Sequence, residues 1–351
     1  MIGRRGSAMR SLIVLGLAGL ASCGPSAPAS SLVQSNSVVA TAETEPVGTT
    51  HRDAADDPAI WRNAANPTAS LIVATDKRAG LHVYGLGGKS LAFDPAGRLN
   101  NVDLIDLGER GILVAASDRN DEANAKLRLY RLDPAGPTLI RLGVVAGGKG
   151  EAYGICLAPA ADGSIHAFSV LKQGLIEQVV ISFDGKAATG RTVRSLRVPS
   201  QPEGCVVDTR TNSLFVGEEK AGIWRFDSSV DGSDEGKLVA KVDGKNLFAD
   251  VEGLALAPQG ADGGWLIASS QGDNSYAVYR LPDMGLAGRF RIARGPFGSV
   301  EDTDGIALTL GDFGPAFPGG LFVAQDGKNQ PSAQNFKLVP WSTITRAVKP
   351  R

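Results

Sequence analysis

Three motifs of one form recur in the sequence, each an acidic residue followed by glycine and then by an apolar run. They are Glu203-Gly204, Glu252-Gly253 and Asp304-Gly305. Any one of them could be an ordinary turn dipeptide, but their repetition indicates a shared structural position. Carboxylates held close together repel one another unless their pKa values rise or a cation neutralises them. The repeated motif therefore predicts a carboxylate cluster that binds cations.

Further acidic and amide side chains border apolar runs elsewhere in the chain. They are Asp53, Asp56 and Asp57 before Pro58, then Asn100 and Asp103, the pair Glu218-Glu219, and Asp326. A zinc site is not expected, because His51, His82 and His166 are isolated and no Cys-x-x-Cys occurs. Ca²⁺ prefers oxygen ligands and takes about six to eight of them. We therefore expect calcium at the carboxylate cluster.

Basic residues also stand directly after apolar runs, in short turns. They are Lys77 and Arg78 in one turn, Arg119 in a second and Lys172 in a third. Each taken alone would be a solvated turn residue. If these turns lie on the same face as the carboxylates, the site would combine bound metal ions with fixed cations, namely the lysine and arginine side chains. Proteins hold and cleave phosphate esters with that combination.

The scaffold that must bring these side chains together is expected to be all-β. The sequence has 44 glycines and 19 prolines with 43% hydrophobic and 6% aromatic residues, which favours short strands joined by tight turns. Paired apolar runs recur roughly every 45 to 50 residues, which is typical of a propeller blade. The pairs are Leu71 to Tyr84, Leu113 to Tyr130, Ile165 to Phe183, Leu214 to Phe226 and Leu266 to Tyr279.

This spacing gives room for about six blades, so we predict a six-bladed β-propeller, with a two-sheet sandwich as the alternative. Equivalent positions of successive blades converge near the axis of a propeller. The acid-glycine motifs would then meet at one end of the central channel. One short helix is predicted near Pro340 to Ile344, close to the C-terminus.

The net charge argues against a nucleic-acid partner. Lysine and arginine total 36 and aspartate and glutamate total 37, which gives a formal charge of -1. Such a balance provides no long-range attraction to nucleic acid or to anionic membranes. Any ionic function must therefore be local.

The sequence predicts a lipoprotein signal peptide at residues 1–22. Arg4, Arg5 and Arg10 precede an apolar run at 12–20 that is too short to span a bilayer. The run ends in Leu20-Ala21-Ser22-Cys23, which resembles the lipobox of bacterial lipoproteins, whose cysteine is lipidated. An ordinary signal peptide with a chance cysteine is the alternative. Both interpretations predict export. A lipoprotein would be anchored at the bacterial cell envelope, where we expect the outer membrane, and a protein with an ordinary signal peptide would be secreted.

Residues 23–42 are small and polar without periodicity, so we expect a flexible tether, with the folded domain at 43–351. Cys156 and Cys205 would lie in an oxidising compartment. The sequence leaves open whether they form a disulfide or remain two buried thiols.

Many short motifs, in order, resemble the β-propeller phytases, a family of six-bladed calcium-dependent enzymes that release phosphate from phytate, inositol hexakisphosphate. The resemblance extends from about Glu43 to Trp341. The motifs are DAADDPAIW, TDKRAGLHVY, NNVDLI, EAYGI, QPEGCVVD, FVGEEKAGIWRF, DVEGLAL, ASSQGDNSYAVY, DTDGIA, GLFVAQDG and QNFKLVPW.

The resemblance implies two groups of calcium ligands. Asp56 and Asp57 would help to hold calcium, and Glu203, Glu219 and Glu252 would join Asp56 around the catalytic ions. Those at ions that chiefly stabilise the fold would be Glu43, Asn100, Val102 through its carbonyl, Asp304 and Asp326. The resemblance further implies that Lys77, Arg119, Tyr153 and Lys172 grip the phosphate, with Arg78 beside Lys77.

The resemblance implies a monomeric enzyme that hydrolyses phytate, bound as its calcium complex, by direct attack of a calcium-activated water. The sequence accordingly lacks the Arg-His-Gly-x-Arg-x-Pro and Cys-x₅-Arg signatures of phosphatases that form a phosphoenzyme. Gln173 departs from the family, where an acid is common. Two other functions remain open from the residues alone, namely a propeller that binds a polyanion or partner without catalysis and a calcium-dependent lactone or ester hydrolase.

Overall fold

The computed structural model describes residues 34–50, 53–160 and 162–348. In chain order the strands are β1 (Asn36–Val38), β2 (Ala42–Glu43), β3 (Ala55–Trp61), β4 (Leu71–Asp76), β5 (Gly80–Gly85), β6 (Ser90–Asp94), β7 (Leu99–Asp106), β8 (Ile112–Asp118), β9 (Asn124–Asp133), β10 (Thr138–Lys149), β11 (Ala152–Pro159), β12 (Ile165–Leu171), β13 (Leu175–Phe183), β14 (Ala188–Arg197), β15 (Pro202–Asp208), β16 (Ser213–Glu218), β17 (Gly222–Asp227), β18 (Lys237–Lys241), β19 (Val251–Gln259), β20 (Gly263–Ser270), β21 (Ser275–Leu281), β22 (Leu286–Ile292), β23 (Ile306–Leu310), β24 (Gly320–Asp326) and β25 (Asn335–Pro340). The helix α1 (Trp341–Val348) follows, and 3₁₀ turns occur at Pro67–Ala69, Gly108–Arg110 and Gln271–Asp273.

These strands form six antiparallel sheets that follow one another along the chain as the blades of a propeller. Blades 1 to 4 are β3–β6, β7–β10, β11–β14 and β15–β18, blade 5 is β19–β22, and blade 6 contains β23–β25. The first strand of each blade contacts the first strand of the next, so six inner strands surround a central channel. The prediction of a six-bladed β-propeller is confirmed, and the sandwich alternative is wrong.

The N-terminal segment closes the ring. Strand β2 pairs with β25 and becomes the fourth strand of blade 6, with Glu43 opposite Lys337. Strand β1 adds to blade 5 in parallel with β22, and Val38 is buried there. The expected tether at 23–42 therefore extends too far, because its last residues form edge strands whose short length gives no periodic signal. The signal peptide at 1–22 and Cys23 lie outside the described residues, as does His51.

The core lies between adjacent blades, where apolar side chains of neighbouring sheets interdigitate. Between blades 3 and 4, for example, Phe168 packs with Leu214. Cys156 of β11 and Cys205 of β15 form a disulfide in the same region, with their Cα atoms 5.7 Å apart. Of the two possibilities left open by the sequence, the structure therefore shows the paired one.

The predicted C-terminal helix is confirmed and continues beyond Ile344, as α1. Trp341, Ile344 and Val348 lie on its buried face and join the core of blades 5 and 6. No helix among the described residues is long and apolar enough to cross a membrane.

Candidate active site

Six polar side chains meet at one end of the central channel, which we call the mouth. Each belongs to the beginning of an inner strand or to the residues just before it, and they are Asp56, Asn100, Tyr153, Glu203, Glu252 and Asp304. In blades 1 to 5 the register between the inner strand and the next one shifts at this position. A bulge of this kind redirects a side chain. The same local irregularity therefore places a polar group of each of these blades at the mouth.

The glycines of the acid-glycine motifs allow the inner strands to approach closely. A Cβ atom at Gly204 would lie 2.2 Å from the backbone oxygen of Glu252, and one at Gly305 would lie 2.2 Å from Oδ1 of Asp57. Backbone hydrogen bonds connect neighbouring blades here, since the N–H of Gly253 donates to the carbonyl of Asp304 at 3.1 Å. The glycine of the motif thus allows neighbouring inner strands to pack closely at the mouth, and the motif is not an ordinary turn dipeptide.

Three glutamates form the tightest carboxylate cluster of the mouth. One oxygen each of Glu203, Glu219 and Glu252 lies within 4.8 Å of the others, and all three side chains are buried. Glu219 comes from the turn after β16 and not from an inner strand. Burial raises the pKa of Glu203 well above its usual value, and the charges of Asp56 and Glu252 raise it further. The sequence prediction that these carboxylates converge is therefore supported by the geometry.

Lys77 contacts a second group of carboxylates at the mouth, from the turn between β4 and β5. Its Nζ atom lies 2.7 Å from Asp56, 2.8 Å from Asp53 and 3.3 Å from Asp304. Burial lowers the pKa of Lys77, but these three carboxylates outweigh burial and hold the pKa well above its usual value. Asp304 is also buried, which raises its pKa to about 7 although Lys77 opposes the shift. One fixed ammonium thus faces a surplus of carboxylates.

The mouth fits a hard cation. Oδ1 of Asp56 and Oε2 of Glu252 are buried, and neither receives a hydrogen bond from any described residue. A buried carboxylate oxygen without a partner is costly unless a cation contacts it. The neighbouring groups are oxygen donors, which suit Ca²⁺ rather than zinc. The residues present can therefore hold calcium at the mouth.

Asp57 and Val102 lie together below the mouth, beside a channel cavity of about 590 Å³. Oδ2 of Asp57 accepts the backbone N–H of Val102 at 3.0 Å. The pKa of Asp57 is raised well above its usual value, mainly by burial. The structure thus places Asp57 next to Val102 rather than with the three clustered glutamates.

Three of the predicted phosphate-binding residues, Arg119, Tyr153 and Lys172, lie together at the mouth, whereas Lys77 lies among the carboxylates. The guanidinium of Arg119 lies 5.2 Å from the ring centre of Tyr153, and Nζ of Lys172 lies 5.0 Å from it. Arg119 also donates to Oδ1 of Asn100, whose amide donates to Oε1 of Glu203 at 3.0 Å. Asn100 therefore links the cations to the carboxylates, a central position that the sequence did not suggest.

Tyr153 stays protonated in this setting. Burial raises the pKa of its phenol far above the usual value, and the charges of Glu203 and Asp56 raise it further. A protonated phenol can donate a hydrogen bond to an oxyanion. Tyr153 therefore supplies a donor at the boundary between the acidic and basic sides of the mouth.

Three further residues position the site, and the sequence reasoning missed them. Glu151 contacts Arg119 directly and lies 3.9 Å from Lys172. Gln201 donates to Glu219, and Gln271 donates to Oδ1 of Asp304 at 2.6 Å. Glu151 stands in the EAYGI motif, two residues before Tyr153, and Gln201 stands in QPEGCVVD, two residues before Glu203. Their closeness in sequence to these site residues is the signal that could have identified them.

Three predicted site residues lie elsewhere. Arg78 is exposed and donates to the backbone carbonyl of Asp53 at 2.6 Å, away from Tyr153. Glu43 and Asp326 do meet each other, but in blade 6, where both contact the ammonium of Lys337. The expected calcium ligands thus divide between the mouth, the channel below it and blade 6.

A polar cavity of about 730 Å³ opens at the mouth. Its lining includes Lys77, Tyr153 and the three clustered glutamates, together with Gln201 and Gln271. A cavity of this size falls within the usual range for small-molecule sites. The arrangement suits a small polyanion, since carboxylates that can hold a cation stand beside the ammonium of Lys77 and the phenol of Tyr153.

Comparison with known proteins agrees with this chemistry. The family model described as Phytase matches residues 6–350. The 3-phytase of Bacillus subtilis (strain 168) is 39% identical over 327 residues, which cover 88% of this chain and 85% of that protein. The solved structure of BBS1N in complex with ARL6DN has a TM-score of 0.45 and 12% identity over 78% of this chain and 76% of its own, a likeness too weak to carry an argument. Because the family model spans nearly its whole length, the chain belongs to the phytase family.

Proposed function

We propose that this protein is a calcium-dependent 3-phytase, which removes phosphate from phytate by direct attack of water. The observation that carries the proposal is the mouth itself. Glu203, Glu219, Glu252 and Asp304 line one polar cavity together with Lys77 and a protonated Tyr153. Asp56 contacts Lys77 behind this lining, and Arg119 and Lys172 lie against the ring of Tyr153. A phosphate ester is the substrate class that uses both halves of this arrangement.

Calcium is the proposed metal of the mouth. Its catalytic ligands would come from Asp56, Glu203, Glu219 and Glu252, with Asp304 close by. Asp57 would hold an ion in the channel with the carbonyl of Val102. When bound, calcium would neutralise the clustered carboxylates, polarise phosphoryl oxygens and increase the acidity of water.

The fixed groups of the mouth bind and orient the phosphate. Arg119 presents a planar set of donors that matches phosphate oxygens, and Lys172 adds a second positive charge. Tyr153 donates its phenolic proton in a hydrogen bond. Asn100 and Glu151 hold Arg119 in place from two sides. These contacts fix the direction from which water can reach phosphorus.

A covalent phosphoenzyme is not part of the proposal. Among the described residues that line the cavity, none is a histidine or a cysteine. These are the side chains that phosphatases with the two signatures named above phosphorylate. Direct hydrolysis requires only that water and the ester be held in line, and in the proposal bound calcium and the fixed groups of the mouth would hold them so.

Outside the site, the proposal includes an exported enzyme with a signal peptide at 1–22 and a lipid anchor at Cys23. It would act as a monomer on phytate supplied as a calcium complex, with no nucleic-acid partner. The formal charge of -1 supports the last point. The lipobox resemblance supports the anchor. Mass spectrometry of the mature N-terminus would test it, since an unmodified N-terminal residue other than Cys23 contradicts lipidation.

Phosphate release from phytate at neutral pH tests the function. We expect release with millimolar Ca²⁺ and none in excess chelator. A propeller that only binds polyanions would instead be stabilised against heat by phytate without releasing phosphate. A lactone or ester hydrolase would turn over neutral substrates that have no use for Arg119 and Lys172. Either result in place of phosphate release would overturn the proposal.

A further inference from the structure

Lys337 is the feature of blade 6 that the proposed function does not explain. It lies in β25, directly opposite Glu43 of the N-terminal strand β2, and its side chain is fully buried. Lysine is almost never fully buried unless it is paired. Its position coincides with the pairing that closes the ring of blades.

Four oxygen atoms surround the ammonium group of Lys337. We call this group of five residues the Lys337 cage. From Nζ, the distances are 2.5 Å to Glu43 Oε2, 2.9 Å to Asn335 Oδ1, 3.1 Å to Asp326 Oδ2 and 3.1 Å to Asn329 Oδ1. Two carboxylates and two amide oxygens form a ligand set of the kind that Ca²⁺ takes. The resemblance to the phytases also predicted Glu43 and Asp326 as ligands of stabilising calcium ions.

The cage does not fit a metal ion as long as Lys337 is present. The ammonium lies at the centre of the four oxygen atoms. A divalent cation placed there would overlap with the ammonium and be repelled by its positive charge. The side chain does not reach solvent, because Lys337 is fully buried in β25 between strands β2 and β24. The remaining carboxylate oxygen of Asp326 already accepts the backbone N–H groups of Glu301 and Lys328, each at 3.2 Å.

We propose that Lys337 is a fixed cation that takes the place of a metal ion where the ring closes. Its single positive charge is shared by Glu43 of β2 and Asp326 of β24, and so ties β2 to the other strands of blade 6. Closure of this propeller then needs no calcium, whereas the mouth does. The inference stands apart from the proposed catalysis, because it concerns metal content and stability and not phosphate release.

Calcium stoichiometry tests the proposal. Bound Ca²⁺ per chain is measured by equilibrium dialysis and metal analysis, in the wild type and in Glu43→Gln. We expect the same number of ions in both, because the cage of the wild type holds none. Glu252→Gln is the matched control at the mouth, where loss of bound calcium is expected. A loss of one ion in Glu43→Gln would overturn the proposal.

Substitution of Lys337 provides the converse test. Lys337→Gln removes the ammonium and adds an amide oxygen, so we expect one additional bound Ca²⁺ and a thermal midpoint that calcium raises more than in the wild type. Lys337→Arg keeps the positive charge and should gain no ion. If Lys337→Gln folds and gains no ion, the proposal is contradicted. If it does not fold, the Glu43→Gln comparison decides the question alone.

Discussion

The mouth and the Lys337 cage both gather buried carboxylates, yet they balance the charge differently. At the mouth, Lys77 contacts Asp53, Asp56 and Asp304, and buried oxygens of Asp56 and Glu252 lack a hydrogen-bond partner among the described residues. In the cage, Glu43 and Asp326 share one ammonium at 2.5 and 3.1 Å. Under the two proposals above, the mouth would require exchangeable cations for chemistry, whereas the cage carries its own cation and closes the fold without a metal ion.

The largest expected effect is on catalysis at the mouth. Glu203→Gln keeps the size of the side chain but removes a calcium ligand, so phosphate release should fall on the order of 100-fold or more. The same change should raise the thermal midpoint in chelator at pH 8, because a buried repelling charge is lost. Steady-state phosphate release and thermal unfolding measure the two effects.

Glu235→Gln is the matched control for Glu203→Gln, since Glu235 is exposed and is not part of the mouth, so its loss should change neither quantity. A Glu203→Gln enzyme with a rate within threefold of the wild type would remove Glu203 from the proposed site. A lower thermal midpoint in chelator would contradict the charge repulsion.

The disulfide is a second fixed connection, and it lies close to the mouth. Cys156 and Cys205 are 49 residues apart in sequence and follow Tyr153 and Glu203 by three and two residues. The double variant Cys156→Ser/Cys205→Ser should lose about 2–4 kcal/mol of unfolding free energy, both with and without calcium. Urea unfolding measures the loss. A thiol reductant should destabilise the wild type but not the variant, and equal sensitivity of the two would refute the assignment.

A change of pH is expected to have a smaller effect, on the stability of the folded state without calcium. Burial raises the pKa of Asp304 to about 7 and those of Glu203 and Glu252 well above their usual values. Unfolded carboxyl groups titrate near 4, so in chelator the folded state holds the extra protons between about pH 4 and 7. Stability in chelator should therefore fall as pH rises through that window.

Under the proposed function, calcium binds the ionised carboxylates, so its stabilising effect should increase over the same window. We expect calcium to raise the thermal midpoint by several degrees more at pH 8 than at pH 5. An equal or larger effect of calcium at pH 5 would contradict the raised pKa values.

The sequence predicted the blades and most of the mouth, because both depend on repetition. The acid-glycine motifs at Glu203, Glu252 and Asp304 are equivalent positions of successive blades, and that equivalence is visible in a linear chain. Lys77, Arg119 and Lys172 were found for the same reason, since each follows an apolar strand.

The Lys337 cage could not be predicted, because lysine in a strand normally indicates a solvent-exposed position. Its partners come from both ends of the chain, with Glu43 and Lys337 separated by 294 residues. The strand at Asn36–Val38 was missed because three residues are too few to show a period. Asn100 could not be placed, since its role depends on contacts with Arg119 and Glu203 from other blades or turns.

The most direct test of the account follows phosphate release and folding in the same samples during chelation. The wild type at pH 8 and room temperature is titrated with chelator, and phosphate release from phytate is measured beside the circular dichroism of the strands. We expect phosphate release to disappear while the propeller stays folded, because the mouth needs calcium and the closure by Lys337 does not. Full activity in excess chelator, or unfolding in step with the loss of activity, would contradict the account.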